Sequence, residues 1–223
     1  MYDAELQPFN DPASKASRFR RARTRLVAEL IEKTFAAEGR CRIIDLGGEP
    51  DYWRLFDRAL LERCRVQITS VNIQGFISRD PMIHSIEGDA CDLSQFVDGS
   101  FDLVHSNSVI EHVGDWARMT AFAAEVRRLA PRYYVQTPYW GFPYEPHFGS
   151  WFFHWRSEQS RAKAMLKRQH GYEKKAADMG EAMATVQSAR LLDKAQFRFL
   201  FSDARFPDER IAGLTKSLIA IRS

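Results

Sequence analysis

Residues 43–53 read Ile-Ile-Asp-Leu-Gly-Gly-Glu-Pro-Asp-Tyr-Trp, an apolar run that ends in an acid and breaks into two glycines. A strand that opens into a glycine turn lets backbone approach a ligand closely, most often a nucleotide. The phosphate-binding versions of this turn need more than the chain offers. A dinucleotide fingerprint starting at Gly47 requires glycines at 49 and 52, where this chain has Glu49 and Tyr52. A carboxylate at 49 repels a pyrophosphate. Tyr52 cannot supply the close helix–sheet packing that the third glycine allows. No Gly-Lys-Ser/Thr follows, so a P-loop fails too. The turn therefore disfavours NAD, FAD and ATP.

Other residues able to do chemistry stand where further apolar runs stop. They are Asn72, then Gly88-Asp89-Ala90-Cys91-Asp92-Leu93, then Ser106, Asn107, Ser108, Glu111 and His112, and last Thr137, Pro138 and Tyr139. In open α/β sheets ligands bind at the C-terminal ends of the strands. A ligand with adenosine but no phosphate suits this set. S-adenosylmethionine has a cationic sulfonium, an ammonium that wants an acceptor, ribose hydroxyls that want an acid or amide, and an adenine N6 that wants an acceptor.

The elements that must position these groups can be read from periodicity. Residues 1–14 look like a loose arm, broken by Pro8, Asn10, Asp11 and Pro12. A helix is expected from Ser14, with Phe19, Leu26, Val27, Leu30 and Ile31 on one face. Its other face carries Lys15, Arg18, Arg20, Arg21, Arg23 and Arg25, either as a solvated surface or as a basic edge for an anionic substrate. Strands are expected at 42–46, 66–73, 83–88, 101–106 and 133–137. One helix should hold Leu55, Phe56, Ala59 and Leu60, and another should span 115–129. Strands alternating with helices mean βαβ units and a mostly parallel sheet. Helical segments are expected at 157–170 and 189–201, and two short strands should meet near Gly213.

With these residues in place, the chain resembles class I S-adenosylmethionine-dependent methyltransferases, and in particular a bacterial subgroup of the type 11 group. Asp45-Leu46-Gly47-Gly48 is similar to their first motif. Gly88-Asp89-Ala90 with Asp98-Gly99-Ser100-Phe101-Asp102-Leu103-Val104 resembles their adenine loop and fourth strand. Ser106-Asn107-Ser108-Val109-Ile110-Glu111-His112-Val113 resembles the exit of that strand. Val135-Gln136-Thr137-Pro138, Phe142-Pro143-Tyr144-Glu145-Pro146-His147-Phe148 and Gly213-Leu214-Thr215-Lys216-Ser217 resemble the subgroup.

The resemblance implies a Rossmann-like α/β fold: a mostly parallel seven-stranded sheet with helices on both faces and the last strand antiparallel. It implies an N-terminal arm and helix at 1–38, a methyltransferase domain at 39–223, and an aromatic lid insertion at about 139–175. It implies that Gly47 and Gly48 approach the methionine part of S-adenosylmethionine and that Asp45 orients its ammonium. Asn72 stands where the family has an acid for the ribose, Asp89 and Ala90 would meet adenine, and Ser106 and Asn107 would line the sulfonium. The chain departs from the pattern at Glu49 and Asp51, where the family continues with glycines.

Methyl transfer is an in-line displacement, and much of its rate can come from alignment. An acceptor hydroxyl or amine also needs a base. His112 is the first candidate, followed by Glu111 and His147, with His154 behind them. Glu145 and His147 have the alternative role of bracing the turn through Pro143 and Pro146. Residues 139–155 hold nine aromatics in seventeen positions, which suits a flat or apolar small-molecule acceptor, a hydrophobic insertion packed on the domain, or a peripheral membrane or dimer contact. Neither the His nor the Cys spacing suggests a metal.

Composition sets outer bounds. Hydrophobic residues make up 45% and charged residues 27% of 223, ordinary for a globular chain. The formal charge, 32 − 29 = +3, is too mild to argue for nucleic acid. Cys41, Cys64 and Cys91 read as free reduced thiols. The first residues show no signal-peptide pattern and no stretch reads as membrane-spanning, so a cytoplasmic protein is expected. The rival readings are a non-catalytic cofactor- or partner-binding module, an RNA methyltransferase resting on the basic helix, and an NAD-type oxidoreductase.

Overall fold

The structure is a computed structural model that describes residues 11, 13 and 17–223. Most of the expected N-terminal arm, with Lys15, lies outside the described residues. Helix α1 spans Arg18–Glu38 and is closed by Gly39, whose left-handed φ of 68° lets its N–H reach the Phe35 carbonyl at 2.8 Å. Val27, Leu30 and Ile31 form its buried face, as their spacing predicts, and Phe19 and Leu26 are half-buried.

The strands are β1 (Cys41–Leu46), β2 (Val66–Asn72), β3 (Ile83–Glu87), β4 (Leu103–Asn107), β5 (Tyr133–Pro138), β6 (Tyr144–Glu145), β7 (Ser150–Trp151), β8 (Glu209–Ile211) and β9 (Leu214–Arg222). The helices after α1 are α2 (Arg58–Arg63), α3 (Trp116–Leu129), α4 (Glu158–Met165), α5 (Met179–Gln187) and α6 (Lys194–Leu200). Seven strands form one sheet in the order β3-β2-β1-β4-β5-β9-β8, and β6 pairs with β7. β1 runs parallel to β2 and β4, and β2 runs parallel to β3. β8 and β9 are antiparallel, a hairpin at the sheet edge. This is the mostly parallel α/β sheet that the alternating pattern predicts, in the Rossmann-like form that the resemblance implies.

Chain contacts define two compact units. The first runs to Asn107 and adds Ala124–Val135 and Ile221–Ser223; the second is Ser108–Ala123 with Gln136–Ala220. In the first unit α1 packs on β1 and β4, and α2 packs on β2. β1 is buried at five of six positions, as a central parallel strand should be. Its start is pinned to the loop before β4: Asp102 accepts from the Arg42 backbone N–H at 2.8 Å and from Arg42 Nε and Nη2 at 3.1 and 2.8 Å. Burial opposes the charge on Asp102, but these bonds hold its pKa below the usual carboxylate value.

The second unit has its own core of Phe148, Phe153, Ala162, Met165, Ala176, Ala182 and Val186. Two of its glycines cross closely. A Cβ on Gly171 would collide with the Phe148 and Gly149 backbone, and both Gly149 and Gly171 have positive φ, 55° and 57°. Only glycine allows both the approach and the conformation.

Two expectations about elements are corrected, and one helix is added. The single helix through Leu55–Leu60 is instead a 3-10 turn at Pro50–Leu55 followed by α2, because Asp57 caps the Ala59 N–H and starts a new helix. The helix expected at 157–170 stops at Met165. α5 was not foreseen, although Asp178 capping the Glu181 N–H at 2.9 Å supplies its start signal.

Candidate functional sites

The first unit carries the glycine turn. Gly47 leaves β1 with φ 71°, and its N–H bonds to the Val71 carbonyl at 2.7 Å. A Cβ on Gly48 would strike the Asp45 carboxylate, so the turn closes over that acid only with glycine there. The turn's outer carbonyls are tied down from β2. Ser70 Oγ donates to the Gly48 carbonyl at 2.9 Å, and Asn72 Nδ2 donates to the Gly47 carbonyl at 3.0 Å. Asn72 Oδ1 accepts from the Gln74 N–H at 3.0 Å. The residue expected to meet a ribose is thus also the brace of the turn.

Asp45 is 1% exposed, and both of its oxygens serve the protein. Oδ1 accepts from His105 Nδ1 at 2.6 Å and Oδ2 accepts from Trp53 Nε1 at 2.8 Å. Parallel pairing sets Asp45 directly opposite His105. His105 lies against Tyr134, with rings 5.6 Å apart and only 6° from parallel, and against Tyr52 at 4.9 Å. Its Nε2 makes no hydrogen bond among the described residues. None of these partners was identified from sequence. Strand register sets His105 beside Asp45, and residue spacing does not reveal it.

The acids that depart from the family pattern have cations within the same unit. Asp51 pairs with Arg54 at 3.5 Å. Arg20 of α1 sits over the Tyr52 ring at 6.0 Å and feels Glu49, while burial and Arg23 lower its pKa. The basic face of α1 is therefore partly spent inside the fold. Arg23 is buried and Arg25 pairs with Glu29 at 3.4 Å, while Arg18 and Arg21 are exposed.

Asp89 folds on its own loop, with Oδ1 accepting from the Cys91 N–H at 2.9 Å. Ala90 is buried and follows it. Ser106 donates to the Leu46 carbonyl at 3.1 Å. Asn107, at the end of β4, keeps a buried Oδ1 without a hydrogen-bond partner among the described residues. Such an acceptor is costly unless a ligand or water meets it. The three cysteines are buried, and burial pushes the Cys41 thiol up to about 12.

The second unit gathers the three acid–base candidates. Ser108 leaves β4 with φ 58°, uncommon for a residue with a side chain, and bonds to Gln136 through both its N–H and its hydroxyl. Glu111 follows, fully buried. Thr137 donates to its Oε2 at 2.8 Å, and Oε1 has no hydrogen-bond partner among the described residues. His112 is exposed and its Nδ1 donates to the Ser188 carbonyl at 2.9 Å. His147 donates through Nδ1 to Glu145 at 2.6 Å, and its ring stands 4.8 Å from His112 at 89°. Glu145 also takes the Phe148 N–H at 2.6 Å, the bracing role expected of this pair. Burial works against a charge on His147, yet the Glu145 bond and field hold its pKa above the ordinary histidine value. Burial lowers that of His154, whose Nε2 bonds to the Trp140 carbonyl at 2.7 Å.

The aromatic segment splits in two. Phe148 and Phe153 point into the unit's core, while Trp151, Phe152 and Trp155 are 64%, 51% and 45% exposed, with the Phe152 ring against both tryptophans. No described helix is long and apolar enough to cross a membrane.

Residues 56–132 match the type 11 methyltransferase family, described as a methyltransferase domain. That match covers 77 of the 223 residues, and a methyltransferase domain implies S-adenosylmethionine as cofactor. No curated protein matches the sequence. Among solved structures, an O-methyltransferase family protein from Burkholderia thailandensis is 15% identical with a TM-score of 0.48, over 92% of this chain and 58% of that one. The present chain therefore spans less than two thirds of that protein. The Burkholderia thailandensis 1,6-didemethyltoxoflavin-N1-methyltransferase, bound to S-adenosylhomocysteine, is 13% identical with a TM-score of 0.46, over 87% and 77%. Magnesium protoporphyrin IX methyltransferase from Synechocystis PCC 6803 is 13% identical with a TM-score of 0.48, over 97% and 91%.

Proposed function

We propose that this chain transfers the methyl group of S-adenosylmethionine to an oxygen or nitrogen of a small, flat or apolar acceptor. The observation that carries the reading is the glycine turn after β1, which admits no side chain at 48 in a chain whose residues 56–132 match a methyltransferase domain. The bound cofactor supplies an activated methyl group on a sulfonium. Gly47 and Gly48 would approach its methionine end, and Asp89 and Ala90 would meet adenine through the carboxylate and backbone N–H. Asn107 Oδ1 offers an acceptor that the described residues leave unmatched. Asp45 would act through the turn it supports, because its oxygens are already shared by His105 and Trp53.

Glu111, His112 and His147 would handle the acceptor's proton. Each offers a lone pair that its own hydrogen bonds leave over. The exposed aromatics of 139–155 are the natural surface for a flat acceptor, and residues 139–175 would act as its lid. Calorimetry with S-adenosylmethionine, S-adenosylhomocysteine and NAD tests the cofactor half. Binding of the sulfur compounds and not NAD is expected, and binding of neither sulfur compound would overturn the reading. Mass spectrometry across a panel of phenols, amines and purine-like heterocycles tests the acceptor half.

A further inference from the structure

The cluster in the second unit has a geometry that acid–base chemistry alone does not require. One ligand atom from each of Glu111, His112 and His147 lies within 4.8 Å of the others. The Ser188 carbonyl and the Glu145 carboxylate can only accept, so both Nδ1 atoms carry hydrogens, and in the neutral rings, the form that binds a metal, both Nε2 atoms carry lone pairs. Glu111 is fixed through Oε2 by Thr137, which leaves Oε1 for another partner. Two imidazole nitrogens and one carboxylate oxygen therefore converge, each side chain held from behind. We propose that Glu111, His112 and His147 bind one divalent transition-metal ion through Glu111 Oε1 and the two Nε2 atoms.

Three features support this. First, two imidazoles with one carboxylate suit borderline ions such as zinc, cobalt or iron(II) better than magnesium or calcium, which take oxygen donors. Second, both rings have the outer partner that metal-bound histidines use to fix tautomer and orientation, a carboxylate for His147 and a backbone carbonyl for His112. Third, His112 is exposed while Glu111 is buried, so the cluster has a solvent side from which an ion can arrive. Atoms sharing one ion with bonds of about 2.1 Å lie roughly 3–4 Å apart. One donor atom from each side chain already lies within 4.8 Å of the others, so a closure of about an ångström brings such a set to metal-sharing distance. The spacing 111, 112 and 147 matches no metal motif, which is why the sequence suggested none. Three protein donors leave positions for an outside oxygen, so the ligand class is a hydroxyl or carboxylate. That this oxygen belongs to the methyl acceptor rests on the function proposed above; the binding of the ion does not.

The test uses the full chain, stripped with chelator and kept reduced, then titrated with cobalt(II) by calorimetry and by its visible absorption. One equivalent per chain is expected. His112→Ala and His147→Ala should each weaken binding at least about 100-fold, and Glu145→Gln, which keeps the side chain's shape but weakens the outer partner of His147, by about 10–100-fold. His84→Ala, on the exposed face of β3, should change nothing. Circular dichroism checks each fold, and Glu145→Gln keeps the test open if a ligand variant does not fold. Cobalt binding unchanged in both histidine variants, or no binding up to millimolar cobalt, overturns the proposal. S-adenosylhomocysteine binding measured in chelator separates the two ideas, because it survives if only the metal site fails.

Discussion

Asp45 and Glu111 are both buried carboxylates, at 1% and 0% exposure, and they are built in opposite ways. Asp45 gives one oxygen to His105 and the other to Trp53, and the glycine turn folds over it. Glu111 gives one oxygen to Thr137 and keeps the other beside two histidines. The first acid is a strut whose chemistry is used up in holding a shape. The second has capacity left over. Burial is the same for both; the number of uncommitted lone pairs is what marks one of them as chemically available.

That contrast can be broken by substitution. The largest effect belongs to Asp45→Ala, which removes the acceptor of two buried donors at once. It should cost about 3–4 kcal/mol of stability by urea denaturation, and a loss under 1 kcal/mol would mean Asp45 is not a strut. Next is Gly48→Ala, which forces the turn off the Asp45 carboxylate. A strain of roughly 1–3 kcal/mol should appear as about a 5- to 150-fold loss of S-adenosylhomocysteine affinity by calorimetry.

Asp102 supplies a third buried carboxylate whose support is charge. Its pKa is depressed through Arg42, so its contribution is complete above the unfolded carboxylate value of about 4 and is lost as pH falls through the lower folded value. Asp102→Asn should therefore lose about 1–2 kcal/mol at pH 7, a figure kept small because Arg42 is partly exposed. The gap from wild type should close in acid, and a gap unchanged at pH 3 would contradict the sign. The smallest effect is His112→Ala, which should change stability by less than about 0.5 kcal/mol because the side chain is exposed. A large loss of stability there would erase the difference between strut and site.

Much of the fold was legible because its signals are local. The runs at 42–46 and 66–73 end within a residue or so of β1 and β2, and the helical period at 115–129 became α3. Asp57 was a cap signal that the apolar period of Leu55–Leu60 masked. The site was legible only as residue types. His105 meets Asp45 through strand register across sixty residues, and His147 meets His112 through a hairpin whose path depends on positive φ at Gly149. Neither pairing leaves a trace in spacing. Asn72 looked like a ligand contact because of where it stands, but its amide is also engaged with the turn's carbonyls, and only coordinates show that.

The bond between His105 and Asp45 has a consequence outside energetics. The hydrogen on His105 Nδ1 sits on a 2.6 Å contact, behind Trp53, Tyr52 and Tyr134, in a site 1% exposed. Such a hydrogen exchanges with solvent only when the structure around it opens. It should give a persistent far-downfield proton resonance, and its exchange rate would time the opening of the glycine turn, a clock already built into the strand pair.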